Sequence, residues 1–496
     1  MSASKQENAL GIAASRLDPA STTPLHRQIY EALREDILRG HLAPGQKLLP
    51  TRQLARELEV SRNTVVEAFE QLLAEGYLRG RQGAGTFVTD ELPDDLLQRP
   101  GAPSELVAVE EVATEPEVSQ MALALSALSM RPGSREVRPF QGGLPALEEL
   151  PTREWARLAA RVRKELPASA LGYGDVAGYE PLREALATYL RTSRGLECNA
   201  EQILVVAGSQ QGLDLTIRTL LNPGDRACIE DPGYPGTRAA LLAAGVEAVP
   251  IPVDDGGMLV DQVADRKDPV RMVCVTPSHH YPLGATLSLR RRLRLLEWAH
   301  QVGGWIVEDD YDSEYRYSGR PLTAMKALDR GGRVIYVGTF SKVLAPGLRL
   351  GYLVVPLALV EAFTAVRAAM DRQSPLLEQA TMAAFLNEGH FMRHIRRMRT
   401  LYASRQEALL AAAHDHLTGR LDVRPSPSGM HLVGWLPAET NDRAVSQAAG
   451  RAGVTAAALS GYSVVHQQPP GLILGYAAFD AKKLREGVRQ LAGVVL

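Results

Sequence analysis

The stretch Val334–Pro356, "VIYVGTFSKVLAPGLRLGYLVVP", decides how the chain is read. Two apolar runs, rich in β-branched and aliphatic residues and bounded by glycine and proline, predict two strands of a buried sheet. Between them stands Lys342, at a strand end inside a folded domain. An amine in such a place is costly unless it is paired, neutralised or put to covalent use. A lone loop lysine in water is the ordinary alternative, but this lysine has neighbours. Thr339 and Ser341 offer hydroxyls on one side and Arg349 a guanidinium on the other, a set suited to phosphate oxygens. An amine beside a phosphate-binding cluster points to pyridoxal 5'-phosphate held as a Schiff base on Lys342.

The remaining parts of such a site are sought upstream. "ILVVAGSQQGLDLTIRTLL" passes from a strand to a helix through Gly208, and backbone N–H groups at that helix start favour an anion. Ser209, Gln210 and Gln211 are therefore expected at the phosphate, with Arg349 and a hydroxyl from Thr339 or Ser341. "WIVEDDYDSEYRY" ends a strand in carboxylates. A pyridine ring withdraws electrons best while its nitrogen is protonated, which calls for an adjacent carboxylate, and Asp309 is expected there. Tyr311 is then placed to reach the ring hydroxyl, and Tyr234 in "EDPGYPG" to stack on the ring. Each piece has a plain reading, as a common glycine turn, a solvated acidic loop or a packed tyrosine.

Composition bounds the rest. A chain of 496 residues, 45% apolar, exceeds one ordinary domain and reads as globular. The formal charge of -2 gives no ground for a nucleic-acid partner by bulk charge. Cys198, Cys228 and Cys274 lack CxxC or other metal-ligand spacing, and with no signal-peptide core or membrane-length apolar run a cytoplasmic location without a membrane partner is expected. Residues 1–20 are polar and small, a tail. Residues 91–135 are rich in Pro, Glu and Ala and read as a linker. The expected domains are 21–90 and 136–496, the larger an α/β domain with a mainly parallel sheet. Its strand candidates are "QILVVAG", "RACIED", "RMVCVTP", "GGWIVEDD" and "RVIYVGT".

In the smaller domain Leu25, Ile29, Leu33 and Ile37 recur every four residues, as one helix face does. Two short helices follow, "TRQLARELEV" and "RNTVVEAFEQLLAEG", the second capped by Ser61. Val65, Phe69, Leu72 and Leu73 are expected on its buried side, with Asn63, Thr64, Glu67 and Gln71 facing away. That is a helix-turn-helix candidate, with a hairpin carrying Arg79, Arg81 and Gln82 as its wing; an ordinary three-helix domain fits the periodicity equally well.

The segment "PLHRQIYEALREDILRGHLAPGQKLLPTRQLARELEVSRNTVVEAFEQLLAEGYLRGRQGAGTFV" resembles the winged helix-turn-helix of the GntR family over its whole length. The turn "GQKLLPTR" and the wing "RQGAGTFV" carry most of the match. The resemblance implies that Arg52, Ser61, Arg62, Asn63, Thr64 and Arg81 lie against double-stranded DNA, with Gly83 and Gly85 shaping the wing. The segment has nine Lys and Arg against eight Asp and Glu, so affinity is expected to depend on dimerisation and placed arginines. Residues 136–496 resemble the fold-type I aminotransferases, with phosphate turn, stacking aromatic, aspartate, "SK" lysine and arginine in the same order. That likeness implies a head-to-tail homodimer in which Tyr173 reaches the neighbour's phosphate. Joined, the halves resemble the MocR/GabR-type regulators, an architecture of a small α+β winged helix-turn-helix and a large α/β pyridoxal phosphate-dependent transferase-like domain. The implied function is transcriptional regulation by a domain that senses a B6 vitamer or an amino compound. A working aminotransferase with an attached DNA-binding domain is the alternative, and a domain that merely dimerises is a third.

Two departures stand out. Aminotransferases of this kind hold the substrate carboxylate with an arginine in an R-L-G-F pattern, and "GLILGYAAF" puts Ile473 there. "TPSHHYPLG" puts Tyr281 where an asparagine beside the ring hydroxyl is usual, with His279 or His280 as substitutes.

Overall fold

The computed structural model describes residues 17–19, 21–81, 84–90, 92, 118–128, 136–319 and 322–495. The chain divides into two compact units, Met1–Pro116 and Glu117–Leu496.

The first unit holds α1 (Leu25–Leu38), α2 (Thr51–Glu57), α3 (Arg62–Ala74) and a hairpin of β1 (Leu78–Arg81) and β2 (Gly85–Val88). The four-residue period of α1 buries Ile29, Leu33 and Ile37 against Leu54, Val65, Phe69 and Leu72. Ser61 caps α3 by accepting the Thr64 N–H at 3.2 Å, satisfying one of the donors that a helix start leaves unpaired. Leu73, expected inside, is 38% exposed, and the fully buried Ala68 completes the face. A step of about 100° per residue cannot bury both Leu72 and Leu73 on a narrow stripe. In the hairpin Arg79 pairs with Phe87 and Arg81 with Gly85, and Lys47 bridges to Phe87 from the other side.

The second unit opens inside the expected linker, with α4 (Gln120–Ala127). Ser119 caps it by accepting the Ala122 N–H at 3.2 Å. "QMALALSA" is a run of strong helix formers that the surrounding composition conceals.

The main sheet has eight strands: β3 (Ile203–Val206), β4 (Arg226–Asp231), β5 (Glu247–Asp254), β6 (Gly257–Met258), β7 (Met272–Val275), β8 (Trp305–Asp310), β9 (Val334–Thr339) and β10 (Gly351–Val354). Their order is β3-β10-β9-β8-β7-β4-β5-β6. β4, β5, β7, β8 and β9 run parallel, while β10 is antiparallel to both β3 and β9. The five strand candidates fall on β3, β4, β7, β8 and β9, and the second run of the opening stretch is β10. β10 passes close to the turn after β3: a Cβ on Gly351 would lie 2.8 Å from the Gly208 Cα. A second, antiparallel sheet has the order β11-β12-β14-β13, from β11 (Asp422–Val423), β12 (His431–Trp435), β13 (Ala457–Ala458) and β14 (Gly471–Gly475). It shares a core with the helices His390–Leu417 and Ala481–Ala492 through Leu432, Leu474, Leu409 and Leu484. Ile473 lies on β14 opposite Val433 and Ala457 and is 1% exposed. Among the described residues, no helix is long and apolar enough to cross a membrane.

Candidate functional site

A cavity of about 260 Å³ opens beyond the carboxyl ends of the parallel strands, where open α/β sheets bind their ligands. At one end, Gly208 with φ 106° turns the chain from β3 into α5 (Ser209–Leu220). A Cβ on Gly208 would stand 3.7 Å from both Arg349 Nη1 and Ser341 Oγ. Guanidinium, hydroxyl and helix amides thus converge on one spot, an arrangement that binds an anion such as phosphate. Arg349 adopts left-handed backbone, φ 50°, which costs a non-glycine residue energy and persists where surrounding structure enforces it.

Ser209, Gln210, Ser341 and Arg349 line this end. Gln210 Nε2 donates to the Gly236 carbonyl at 2.9 Å, while its Oε1 is buried without a partner. Gln211 is turned away: its Oε1 accepts the Ala207 N–H and its Nε2 donates to Asp371, each at 2.6 Å. Thr339 is also outside the lining; its Oγ1 accepts the Ser341 N–H at 3.2 Å and so orients the residue that does line it.

At the centre Lys342 Nζ donates to the Gly143 carbonyl at 2.8 Å. Gly143 has φ 77°, and a Cβ there would meet Nζ at 2.9 Å. Burial pushes the Lys342 amine down from its ordinary range, opposed by Asp312 and Asp309. Asp309, 8% exposed near the end of β8, is pushed up to about 7, first by burial, then by Asp310, with Lys342 acting the other way. Its Oδ1 has no hydrogen-bond partner.

The wall is aromatic. Tyr281 makes edge contacts with Tyr234, Tyr311, His431 and Tyr462, ring centroids 5.3–6.1 Å apart, and donates to the Tyr462 hydroxyl at 3.1 Å. Tyr281, which the resemblance puts where an asparagine is usual, is therefore a packed ring. Of the two histidines beside it, His279 reaches the Tyr311 hydroxyl at 3.0 Å, whereas His280 turns toward Glu230, 3.7 Å away. Burial pushes Glu230 up to about 8, and its Oε2 accepts both the N–H and the hydroxyl of Thr276.

Thr276, Gly142, Gly143, Met430 and His431 line the cavity without having been expected to. The doubled glycine of "FQGGLP" is the one sequence signal among them. Tyr173 does not line the cavity of its own chain; it is 86% exposed, with the Arg372 guanidinium 4.7 Å from its ring centroid. Ile473 is also absent from the lining, and its Cγ2 would lie 3.8 Å from a Cβ on Gly142.

On the first unit Arg52, Ser61, Arg62 and Asn63 are exposed. Thr64 is half-buried, its hydroxyl 2.7 Å from that of Ser61. On the wing the Arg81 guanidinium lies 5.2 Å from the Phe87 ring centroid, while Arg79 is paired with Asp90. Gly85, φ 112°, is approached by Lys47, whose Cε would sit 2.9 Å from a Cβ there. Gln82 and Gly83 lie outside the described residues.

The donor set fits pyridoxal 5'-phosphate. The anion cradle of Gly208, Ser209, Ser341 and Arg349 matches its phosphate, and the unpartnered Asp309 Oδ1 lacks the N–H donor that a protonated ring nitrogen supplies. Lys342 stands between these two ends with its amine biased toward the neutral, nucleophilic form.

Residues 143–491 match the family model "Aminotransferase class I and II", and residues 25–88 that of "Bacterial regulatory proteins, gntR family". The chain is 42% identical over 485 residues to the probable rhizopine catabolism regulatory protein MocR of Rhizobium meliloti, covering 97% of this chain and 95% of that protein. It is 33% identical to the HTH-type pyridoxine biosynthesis transcriptional regulator PdxR of Corynebacterium glutamicum, over 97% and 98% of the two chains. The crystal structure of Pyrococcus horikoshii kynurenine aminotransferase, in complex with PMP, matches with a TM-score of 0.67 at 29% identity, over 78% of this chain and 96% of that one.

Proposed function

From the premise that the chain belongs to the MocR-type regulators, a gntR-family domain joined to a class I and II aminotransferase domain, we propose that it is a pyridoxal phosphate-binding transcriptional regulator. The observation that carries the cofactor half is the buried, unpartnered Asp309 Oδ1 facing the same cavity as Lys342 and Arg349. When bound, the cofactor supplies an electron-withdrawing ring and an aldehyde that condenses with amines. Lys342 holds it, Asp309 keeps a proton on its ring nitrogen, Ser209, Ser341 and Arg349 bind its phosphate, and Tyr234 bounds the ring.

The effector is a B6 vitamer or an amino compound that does not depend on a carboxylate clamp. Among the described residues, the basic side chains lining the cavity are Lys342, Arg349 and His431. Arg349 serves the anion cradle and Lys342 the aldehyde. Burial drives His431 down to about 3, so it is neutral, with Nε2 donating to the Pro282 carbonyl at 2.9 Å. A carboxylate entering this cavity gives up its water with no cation to replace it, at a cost of several kcal/mol. The name of the PdxR relative, a pyridoxine biosynthesis regulator, favours the vitamer.

Tyr173 supports a head-to-tail homodimer. An 86% exposed tyrosine beside a 78% exposed Leu171 is surface that a second copy covers, and the resemblance gives Tyr173 the neighbour's phosphate. The test combines three measurements: uptake of pyridoxal phosphate by absorbance, sedimentation for oligomeric state, and gel shift on DNA from upstream of the chain's own gene and its neighbours. Tyr173→Ala is expected to weaken cofactor binding. A protein that stays colourless with the cofactor, or shifts no neighbouring DNA, overturns the reading. Catalytic turnover is a second reading, favoured by the depressed Lys342 amine, and sustained conversion of an amino donor and keto acid would establish it.

A further inference from the structure

Two buried polar side chains stand beside the cavity without lining it: His279 and Asp312, 2% and 1% exposed. His279 Nδ1 lies 2.9 Å from Asp312 Oδ2 and 3.0 Å from the Tyr311 hydroxyl. The ring cannot turn freely. A Cβ on Gly429 would come within 2.1 Å of His279 Cε1, and one on Gly284 within 3.3 Å of Nε2. Of the titratable groups nearby, His280 and His431 are both driven down to about 3 by burial, so Asp312 is the charge that the imidazole touches.

An imidazole nitrogen either donates or accepts; it cannot do both. With the ring proton on Nε2, the Nδ1 lone pair would face a carboxylate oxygen at 2.9 Å, and a buried N–H would have no acceptor, because Nε2 has no partner. Both penalties vanish with the proton on Nδ1. That proton points at Asp312, with the Tyr311 oxygen as a second acceptor. The Tyr311 hydrogen is thereby refused by His279, and no other described residue accepts it. It turns into the cavity that Tyr311 lines.

We propose that His279 and Asp312 are positioning residues that fix Tyr311 as a hydrogen-bond donor toward the cavity, where it meets an anionic ring oxygen. The proposal rests on the cavity being a pyridoxal phosphate site. It assigns the polar contact beside the ring hydroxyl, which Tyr281 as a packed ring does not make, to a pair acting through the tyrosine.

The experiment follows the pH midpoint of the absorbance band of bound pyridoxal phosphate. A donor to the ring oxygen stabilises its negative charge and lowers the proton affinity of the nitrogen joined to Lys342. Without His279 the Tyr311 hydroxyl loses the N–H that keeps its hydrogen pointed at the cavity. Replacing Tyr311→Phe is expected to raise the midpoint by about one pH unit, the worth of one charge-assisted hydrogen bond, and His279→Phe should raise it nearly as far. In Tyr311→Phe/His279→Phe the second change should add little, because both act through one hydrogen. His279→Asn, whose amide N–H can stand where Nδ1–H stood, should restore the wild-type midpoint. A wild-type midpoint in His279→Phe, or full additivity in the double variant, overturns the proposal. If His279→Phe does not fold, the ¹⁵N shifts of the wild-type imidazole decide: protonated Nδ1 supports the proposal and protonated Nε2 ends it. Wild type that takes up no cofactor instead removes the site reading itself, and the proposal falls with it.

Discussion

Replacing Asp309→Asn should weaken cofactor binding and strengthen the cofactor-free fold, and both magnitudes follow from its surroundings. Burial, then the neighbouring Asp310, pushes Asp309 up from an ordinary 3.8 to about 7 in the folded chain. Between those values the fold carries a proton that the unfolded chain does not, so the stability contributed by this group falls as pH rises from about 4 to about 7 and stays lost above. A difference near three pH units corresponds to about 4 kcal/mol of penalty at pH 8. Asparagine cannot ionise and escapes that penalty, but an unpaired amide N–H beside Lys342 costs about 1–3 kcal/mol. The net gain is about 1–3 kcal/mol, several degrees in Tm. The cofactor, conversely, loses a charge-assisted hydrogen bond worth about 1.5–3 kcal/mol, so its affinity should fall about 10- to 150-fold. Glu230 and Glu314 are also raised by burial, so wild-type stability has several pH-dependent contributions. The difference in Tm between wild type and variant, measured without cofactor at pH 5 and pH 8, isolates Asp309. A variant whose Tm advantage does not grow with pH, or which binds cofactor as tightly as wild type, refutes the reasoning.

Lys342→Ala should abolish the borohydride-fixable attachment while the fold persists; a reducible chromophore in the variant assigns that role elsewhere. Arg62→Ala and Asn63→Ala, exposed at the start of α3, should each cost about 1–3 kcal/mol of operator binding by gel shift and leave cofactor affinity unchanged. Titration with alanine, glutamate or 4-aminobutyrate should change the cofactor spectrum only slowly and weakly. Rapid, complete conversion to the pyridoxamine form would show a carboxylate partner other than the one Ile473 replaces. Ile473→Arg should lower Tm without improving that response, since the position is 1% exposed and behind Gly142.

Residues at strand ends were legible because the sequence punctuates them. Lys342, Asp309 and Tyr234 each follow an apolar run closed by glycine, proline or a charge, and parallel strands deliver such ends to one side; Arg349 reaches that side from the other direction, just before the antiparallel β10. Choices between near neighbours were not legible, because they depend on where a strand or helix stops. Thr339 is the last residue of β9 and faces the chain turn, while Ser341, past the strand, faces the cavity. In α5 a rotation of about 100° per residue leaves Ser209 and Gln210 on the cavity and carries Gln211 round to Asp371. His279 and His280 divide in the same way, one to Tyr311 and the other to Glu230. Residues from elsewhere in the chain carried little local mark: Met430 and His431 come from the start of β12, and Gly142 from the stretch between α4 and β3. Their presence is decided by how one sheet closes over the other, a long-range result of burying Phe140, Leu432 and Leu474 together. Ile473 shows the converse. Sequence alignment to the R-L-G-F pattern marks the missing arginine, but only the fold shows an apolar side chain drawn into the β14 core and out of the cavity lining. The loss is therefore built into the packing of the second sheet, and restoring one guanidinium would require that sheet to make room for a buried charge.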